Sequence, residues 1–292
     1  MNIQWYPGHM TKAVRDMNQD IKLTDILIEV LDARAPLATS NPDIKKMCGQ
    51  KKRILLLNKA DLAEEAVSSE WMRFFQSEGY SCMAMDARNR NCLNRLLSLI
   101  GESAKEKKDR DKKRGINPRP VRVMIAGIPN SGKSTLINTI SGRTAAKTGN
   151  KPGVTKGDQW IRMNPSVELM DTPGILWPKI EDEETGMILA WLGSVNDLPF
   201  DLTELSLELI RFLRKRYSGL LDQRYAADHL NEMDTLKKIA AERGCLLKGG
   251  DPDYEKAAGI LLNEFRSGKT GRISLQTPPA FLPKQTTEER NA

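Results

Sequence analysis

No stretch of this 292-residue chain approaches eighteen consecutive apolar residues, so no segment reads as a membrane-spanning helix. Its first residues lack the basic-then-apolar order of a secretory signal, and a cytoplasmic location is expected. Cysteine is scarce: Cys48, Cys82, Cys92 and Cys245 form no C-x-x-C pair and have no metal-ligand spacing. Reduced, structural thiols follow. Histidine is scarcer, with only His9 and His229. No coiled coil or long apolar stripe demands a partner copy, so a monomer is expected.

What is abundant is positive charge, a net +7, and its distribution matters more than its total. Residues 101–122 carry nine basic and four acidic groups, whereas residues 179–292 carry sixteen and nineteen. The clustering points to an anionic partner for the first part of the chain and the segment 101–122. From Ser103 to Pro120 there is scarcely an apolar residue, which reads as a solvated connection that could also touch RNA phosphate.

The clearest motif is Gly127-Ile128-Pro129-Asn130-Ser131-Gly132-Lys133-Ser134, a complete G-x-x-x-x-G-K-[ST] phosphate loop. An apolar run, 121–126, precedes it, and Thr135 opens the helix-like stretch that follows. The glycines let backbone N–H groups curl round phosphates at a helix N-terminus. Lys133 then reaches the β/γ-phosphates, and the Ser134 hydroxyl holds Mg²⁺. A second element, Asn58-Lys59-Ala60-Asp61, ends the apolar run Ile54-Leu55-Leu56-Leu57. It resembles the N-K-x-D motif of GTPases, where the Asp carboxylate accepts from the guanine ring N–H and exocyclic amine. Asp171-Thr172-Pro173-Gly174 resembles the D-x-x-G switch, and Thr155 sits where the first switch threonine belongs.

The order is unusual, because N-K-A-D precedes the phosphate loop by about seventy residues, too far for an ordinary loop insertion. The chain therefore looks circularly permuted. Together with Trp5-Tyr6-Pro7-Gly8-His9-Met10 and Asp32-Ala33-Arg34-Ala35-Pro36, it closely resembles the YlqF/RbgA-type GTPases of bacterial large-ribosomal-subunit assembly. The resemblance implies an α/β, circularly permuted Ras-like P-loop domain over 1–178, a smaller all-helical, rRNA-binding domain over 179–281, and a flexible tail over 282–292. It also implies GTP hydrolysis, a large-subunit precursor as partner, and nucleotide contacts from Asn58, Lys59, Asp61, Ala87, Asn130, Ser131, Gly132, Lys133, Ser134, Thr135, Thr155 and Gly174.

Magnesium is implied at Ser134, Thr155 and Asp171, and K⁺ at Asn130, whose other reading is a simple loop hydrogen-bonder. Two positions depart from common GTPase patterns. Asp86-Ala87-Arg88 stands where Ser-Ala-Lys is usual, and the guanine O6 contact passes to the Ala87 amide. Ile175 stands where Ras-like enzymes carry the water-orienting Gln, so slow intrinsic hydrolysis is expected unless another group enters. The resemblance offers His9, which could instead cap the first helix.

Met10, Val14, Met17 and Ile21 predict an amphipathic helix. Further on, Asp201-x-x-Glu204 predicts a helix start, with Leu202, Leu205, Leu209 and Phe212 on one face. Helices are also expected over about 228–243, holding His229, and 252–267, with residues 276–292 fraying. Arg214, Lys215, Arg216, Lys248, Lys269 and Arg272 are RNA-backbone candidates, although basic residues also gather at helix C-termini for dipole reasons.

Overall fold

Apolar runs too continuous to alternate with polar residues mark strands covered on both faces. Ile26–Asp32 (β1) is such a run, and in the computed structural model all seven of its residues are buried. The structure describes residues 8–117, 119–142, 160–180, 182–195, 201–227 and 229–279, with side chains from residue 10 onward. Beside β1 lie Lys52–Asn58 (β2) and Val121–Ala126 (β4), with Ile28 opposite both Ile54 and Ile125. Ser81–Ala84 (β3), Trp160–Asn164 (β5) and Val167–Asp171 (β6) complete a six-stranded sheet among the described residues, in the order β3-β2-β1-β4-β6-β5. Every pairing is parallel except β5 with β6.

Successive strand side chains face opposite sides. Ile26, Ile28 and Val30 meet Leu96 and Ile100 of α4 (Cys92–Ser103) and Leu136 and Ile137 of α6 (Lys133–Ser141) in one cluster. On the other face Leu27 shares a cluster with Met17 of α1 (Gly8–Asp20) and Ile44 of α2 (Pro42–Cys48). Leu31, Leu55 and Leu57 join Trp71 and Phe75 of α3 (Glu65–Ser77). Of the predicted apolar stripe, Met10 and Met17 of α1 and Ile21 in the turn just after it are at 5% exposure or less, and Val14 is half-buried.

The segment read as a solvated connection contains a helix, Lys105–Lys113 (α5), none of whose residues is buried. Lys, Glu and Arg are good helix formers, and no Gly or Pro interrupts them before Gly115. Lys107 clips the helix by ion pairs to Asp111 at 3.0 Å and to Asp25, just before β1, at 3.1 Å.

From 183 onward the described chain is helical: Glu183–Trp191 (α7), Leu202–Arg216 (α8), Leu220–Tyr225 (α9), Glu232–Glu242 (α10) and Tyr254–Arg266 (α11). Asp201 caps α8 as expected, accepting from the Thr203 and Glu204 amides. Leu205 and Leu209 are buried on the predicted face. The helix expected over 228–243 starts later, because Asn231 accepts from the Asp234 amide and becomes its N-cap. His229 consequently lies in an exposed turn rather than a helix.

The helices share their core with the α/β part: Met10, Ala35, Ala38, Ile128 and Leu176 belong to the same buried cluster as Leu209, Ile239 and Leu261. The chain then returns to the sheet. Ile273 donates to the Leu62 carbonyl, Leu275 to that of Arg34, and the Trp71 indole to that of Gln276. Gln276, expected to fray, also accepts from the Ala38 amide at 3.0 Å.

Candidate active site

The chemistry-bearing residues named from the sequence leave the carboxyl ends of parallel strands, where α/β sheets bind their ligands. From β4 the chain enters the phosphate loop. Gly127 has φ +150°, and a Cβ there would lie 2.6 Å from the Val30 carbonyl oxygen. At Gly132, φ is +99° and a Cβ would lie 2.1 Å from Asn58 Nδ2. Only glycine fits either position. Asn130 adopts the left-handed region at φ +58°, and its Nδ2 donates to the Gly193 carbonyl beyond α7 at 2.5 Å. Lys133 is buried and donates to the carbonyls of Gly127 and Ile128 at 3.0 and 2.8 Å. Ser134 and Thr135 follow it on the first turn of α6, and Ser131 donates its hydroxyl to the Ile128 carbonyl.

From β2 comes the second loop. Asn58 donates to the Ser131 carbonyl at 2.7 Å and accepts from the Ala87 amide at 2.8 Å, locking three loops to one side chain. The Ala87 N–H expected to meet guanine O6 is therefore held by Asn58. Lys59, also left-handed at φ +58°, turns its ammonium to Asp32 at 2.9 Å. Asp61 Oδ2 accepts from Arg88 Nη2 at 2.6 Å.

From β6 comes Asp171 and the turn to Gly174, whose Cβ would meet Pro129 of the phosphate loop at 2.9 Å. Ile175 donates its amide to Gly127 and buries its side chain completely among Met17, Met124 and Met170. The side chain at the Gln position thus points into the core, away from the loop. Asn41, fully buried, caps α2 and also donates Nδ2 to the Ile175 carbonyl at 2.9 Å. No sequence pattern pointed to it.

Asp32 and Arg34 supply the connection to the helices. The Arg34 guanidinium makes a fork to Asp32 at 2.9 and 2.8 Å and lies 5.4 Å from the centre of the Phe265 ring. Burial alone would push the Asp32 carboxyl up, but Arg34 and Lys59 overcome it and hold the group far below the usual carboxylate range. Desolvation pulls Lys59 down, against the attraction of Asp32. Truncating one member of such a buried cluster leaves an uncompensated charge, at a cost of roughly 3–5 kcal/mol.

Among the described residues, the buried carboxylate oxygens without a hydrogen-bond partner belong to two groups, Asp61 (Oδ1) and Asp171 (both oxygens). A buried acceptor left unpaired costs about 1–3 kcal/mol, so both await a donor or a cation. Burial pushes Asp171 up to about 6 while the Lys133 ammonium pulls it down. Desolvation brings Lys133 down to about 8. Phosphate oxygens at Lys133 would raise its pKa, and a cation at Asp171 would lower that carboxyl. Nucleotide binding with Mg²⁺ is therefore expected to take up protons near pH 8–9 and release them near pH 5–6. Calorimetry in buffers of different ionisation enthalpy reads this as a change of sign between the two ranges.

The basic candidates divide. Arg214 is consumed internally: its Nη2 donates to the Ala227 and Asn231 carbonyls and to Thr235, and Nη1 pairs with Glu232 at 3.5 Å. Joining α8 to α10 is its structural work, which corrects its expected place on an RNA-facing surface. Lys215, Arg216, Lys248, Lys269 and Arg272 are exposed. Thr155 and the His9 side chain lie outside the described residues.

Three loops that together can cradle a phosphate chain, read a base and close on a terminal phosphate, met along the chain in rotated order, define a circularly permuted P-loop GTPase. Residues 122–237 match the model of the "50S ribosome-binding GTPase" family. Ribosome biogenesis GTPase A of Bacillus cereus is 40% identical over 283 residues, 96% of each chain. The protein of that name from Thermotoga maritima is 34% identical over 99% of both. The crystal structure of GNP-bound YlqF from T. maritima superposes with a TM-score of 0.69 at 30% identity, covering 91% of this chain and 98% of that one. The chain belongs to the ribosome biogenesis GTPase A family and is a GTP hydrolase.

Proposed function

We propose that this GTPase acts late in assembly of the large (50S) ribosomal subunit, docking on rRNA of a precursor particle in its GTP form and leaving after hydrolysis. The observation that carries the reading is the continuity of the switch with the helices. Gly174 packs on the phosphate loop, Leu176 is already in the helical core, and Asn130 reaches back to Gly193. A change at the terminal phosphate would pass to the helical surface through only a few residues.

In this reading Asp61 reads guanine, Asn58 holds the Ala87 amide and so fixes the loop that borders the base, and Lys59 holds the N-K-A-D loop. The phosphate-loop amides, Lys133 and Thr135 bind the phosphates, and the Gly174 amide meets the terminal one. The two unpaired oxygens of Asp171 suit a cation, so Ser134, Thr155 and Asp171 would hold Mg²⁺, and the Asn130 amide oxygen would hold K⁺. Such ions neutralise charge developing on the phosphates. His9 takes the water-orienting role that Ile175 cannot fill. Support for this comes from Met10, next to His9 on α1, which packs in the same cluster as Ile128 of the phosphate loop. The protein works as a monomer in the cytoplasm.

Lys215, Arg216, Lys248, Lys269 and Arg272, together with the exposed basic residues of α5, supply phosphate contacts. Sedimentation with purified large subunits tests this. Binding is expected with a non-hydrolysable GTP analogue and not with GDP. It should weaken by roughly 10³-fold between 50 and 200 mM salt, as several phosphate contacts dictate. Association indifferent to both salt and nucleotide would overturn the proposal.

A further inference from the structure

The loop 86–88 places a second carboxylate beside the one that reads the base. Asp86 and Asp61 are bridged by a single guanidinium: Arg88 Nε donates to Asp86 Oδ1 at 2.9 Å, while Nη2 donates to Asp86 Oδ2 at 3.0 Å and to Asp61 Oδ2 at 2.6 Å. The Arg88 amide also donates to Asp86 Oδ1 at 2.9 Å, fixing that carboxylate within its own loop. Ala60 donates to the Met85 carbonyl and Ala87 to Asn58, so the loops carrying the two acids cannot drift apart.

We infer that Arg88 is a positioning residue for guanine recognition, holding the Asp61 carboxylate against the repulsion of Asp86 so that it can accept from the base. The inference rests on the base-reading role proposed for Asp61. A carboxylate offers about four lone-pair sites. Arg88 takes one on Oδ2, and Oδ1 has no partner, so the two donors of guanine can be accepted without displacing Arg88. An isolated ion pair as exposed as Arg88, at 66%, would contribute little, but here one rigid fork serves two acids. Without it two negative charges face each other where the base enters. An asparagine at 86 would remove that repulsion by itself.

The test is the dissociation constant for GDP, measured by calorimetry on full-length variants, with thermal melting as the check on folding. Arg88→Ala is expected to weaken GDP binding about tenfold. Arg88→Lys, a point charge without the fork, should recover part of the loss. Asp86→Asn combined with Arg88→Ala should restore affinity to within about threefold of the parent, because the repulsion is gone. Unchanged or tighter GDP binding by Arg88→Ala, or no recovery in the double variant, would overturn the role. Asp61→Asn separates this from the reading beneath it. If that variant shows no shift toward xanthine nucleotides, base reading by Asp61 falls, and this inference with it. A clear shift alongside a silent Arg88→Ala removes the positioning role alone.

Discussion

Asp61→Asn is expected to turn a guanine-nucleotide enzyme into one that prefers xanthine nucleotides. Guanine presents a ring N–H and an exocyclic amine side by side, and a carboxylate can accept both. An amide presents one acceptor and one donor, which fits xanthine, whose carbonyl replaces the amine. Asp61 Oδ1 is buried without a partner among the described residues, which leaves it open to a donor on the base. A site built to pair a hydrogen-bonding substrate rejects a mismatched one by about 10⁴–10⁵, and the loss of GDP affinity should be on the order of 10³ or more. Asn58 is untouched by the change, and its bonds to Ser131 and Ala87 keep the loops in place. Titration of the variant with GDP and xanthosine diphosphate checks this directly. Equal affinity for the two, or retained GDP binding at the parent's level, would show that Asp61 does not read the base.

The parts legible in the sequence were those in which chemistry forces a short linear pattern. The phosphate loop needs glycine at 127 and 132 because no Cβ fits there, and that need is written in consecutive residues. The N-K-A-D pattern likewise puts Asn58 and Asp61 at fixed spacing beyond a buried strand, where Asn58 ties the loops together and Asp61 takes the proposed base contact. The rotated order of these patterns was enough to anticipate the sheet and the permutation. Contacts between residues far apart in the chain left no such trace. Asn41 reads as an ordinary helix cap, and nothing near it announces that its amide holds the Ile175 carbonyl. Arg34 reaches Phe265, and Asn130 reaches Gly193, by folding alone. Helix α7 falls within the span expected to be all-helical but gives no period of its own, because Gly186 and Ile188 to Trp191 are all buried and leave no polar face there. In α5 the charged residues that suggested a solvated connection are also good helix formers, and the helix they build is solvated, with none of its residues buried.

The buried position of Ile175 shapes the expected kinetics. Orienting water calls for a polar group beside the terminal phosphate, and this side chain is instead packed among methionines. The proposed substitute, His9, begins a helix whose Met10 and Met17 are packed beneath the phosphate loop and the switch. In the function proposed above, docking of the helices and α5 on the precursor particle would fix both the switch and the start of α1. Completing a GTPase site from outside is worth about 10³–10⁵ in turnover when an arginine finger does it, and ordering a water-positioning group should give on the order of 10² or more.

GTP turnover in potassium buffer, with and without purified large ribosomal subunits, tests the central claim most directly. Slow hydrolysis by the protein alone, rising by on the order of 10²-fold or more on adding subunits and lost again in His9→Ala, is the predicted result. Rapid turnover by the protein alone, unaffected by subunits, would contradict it.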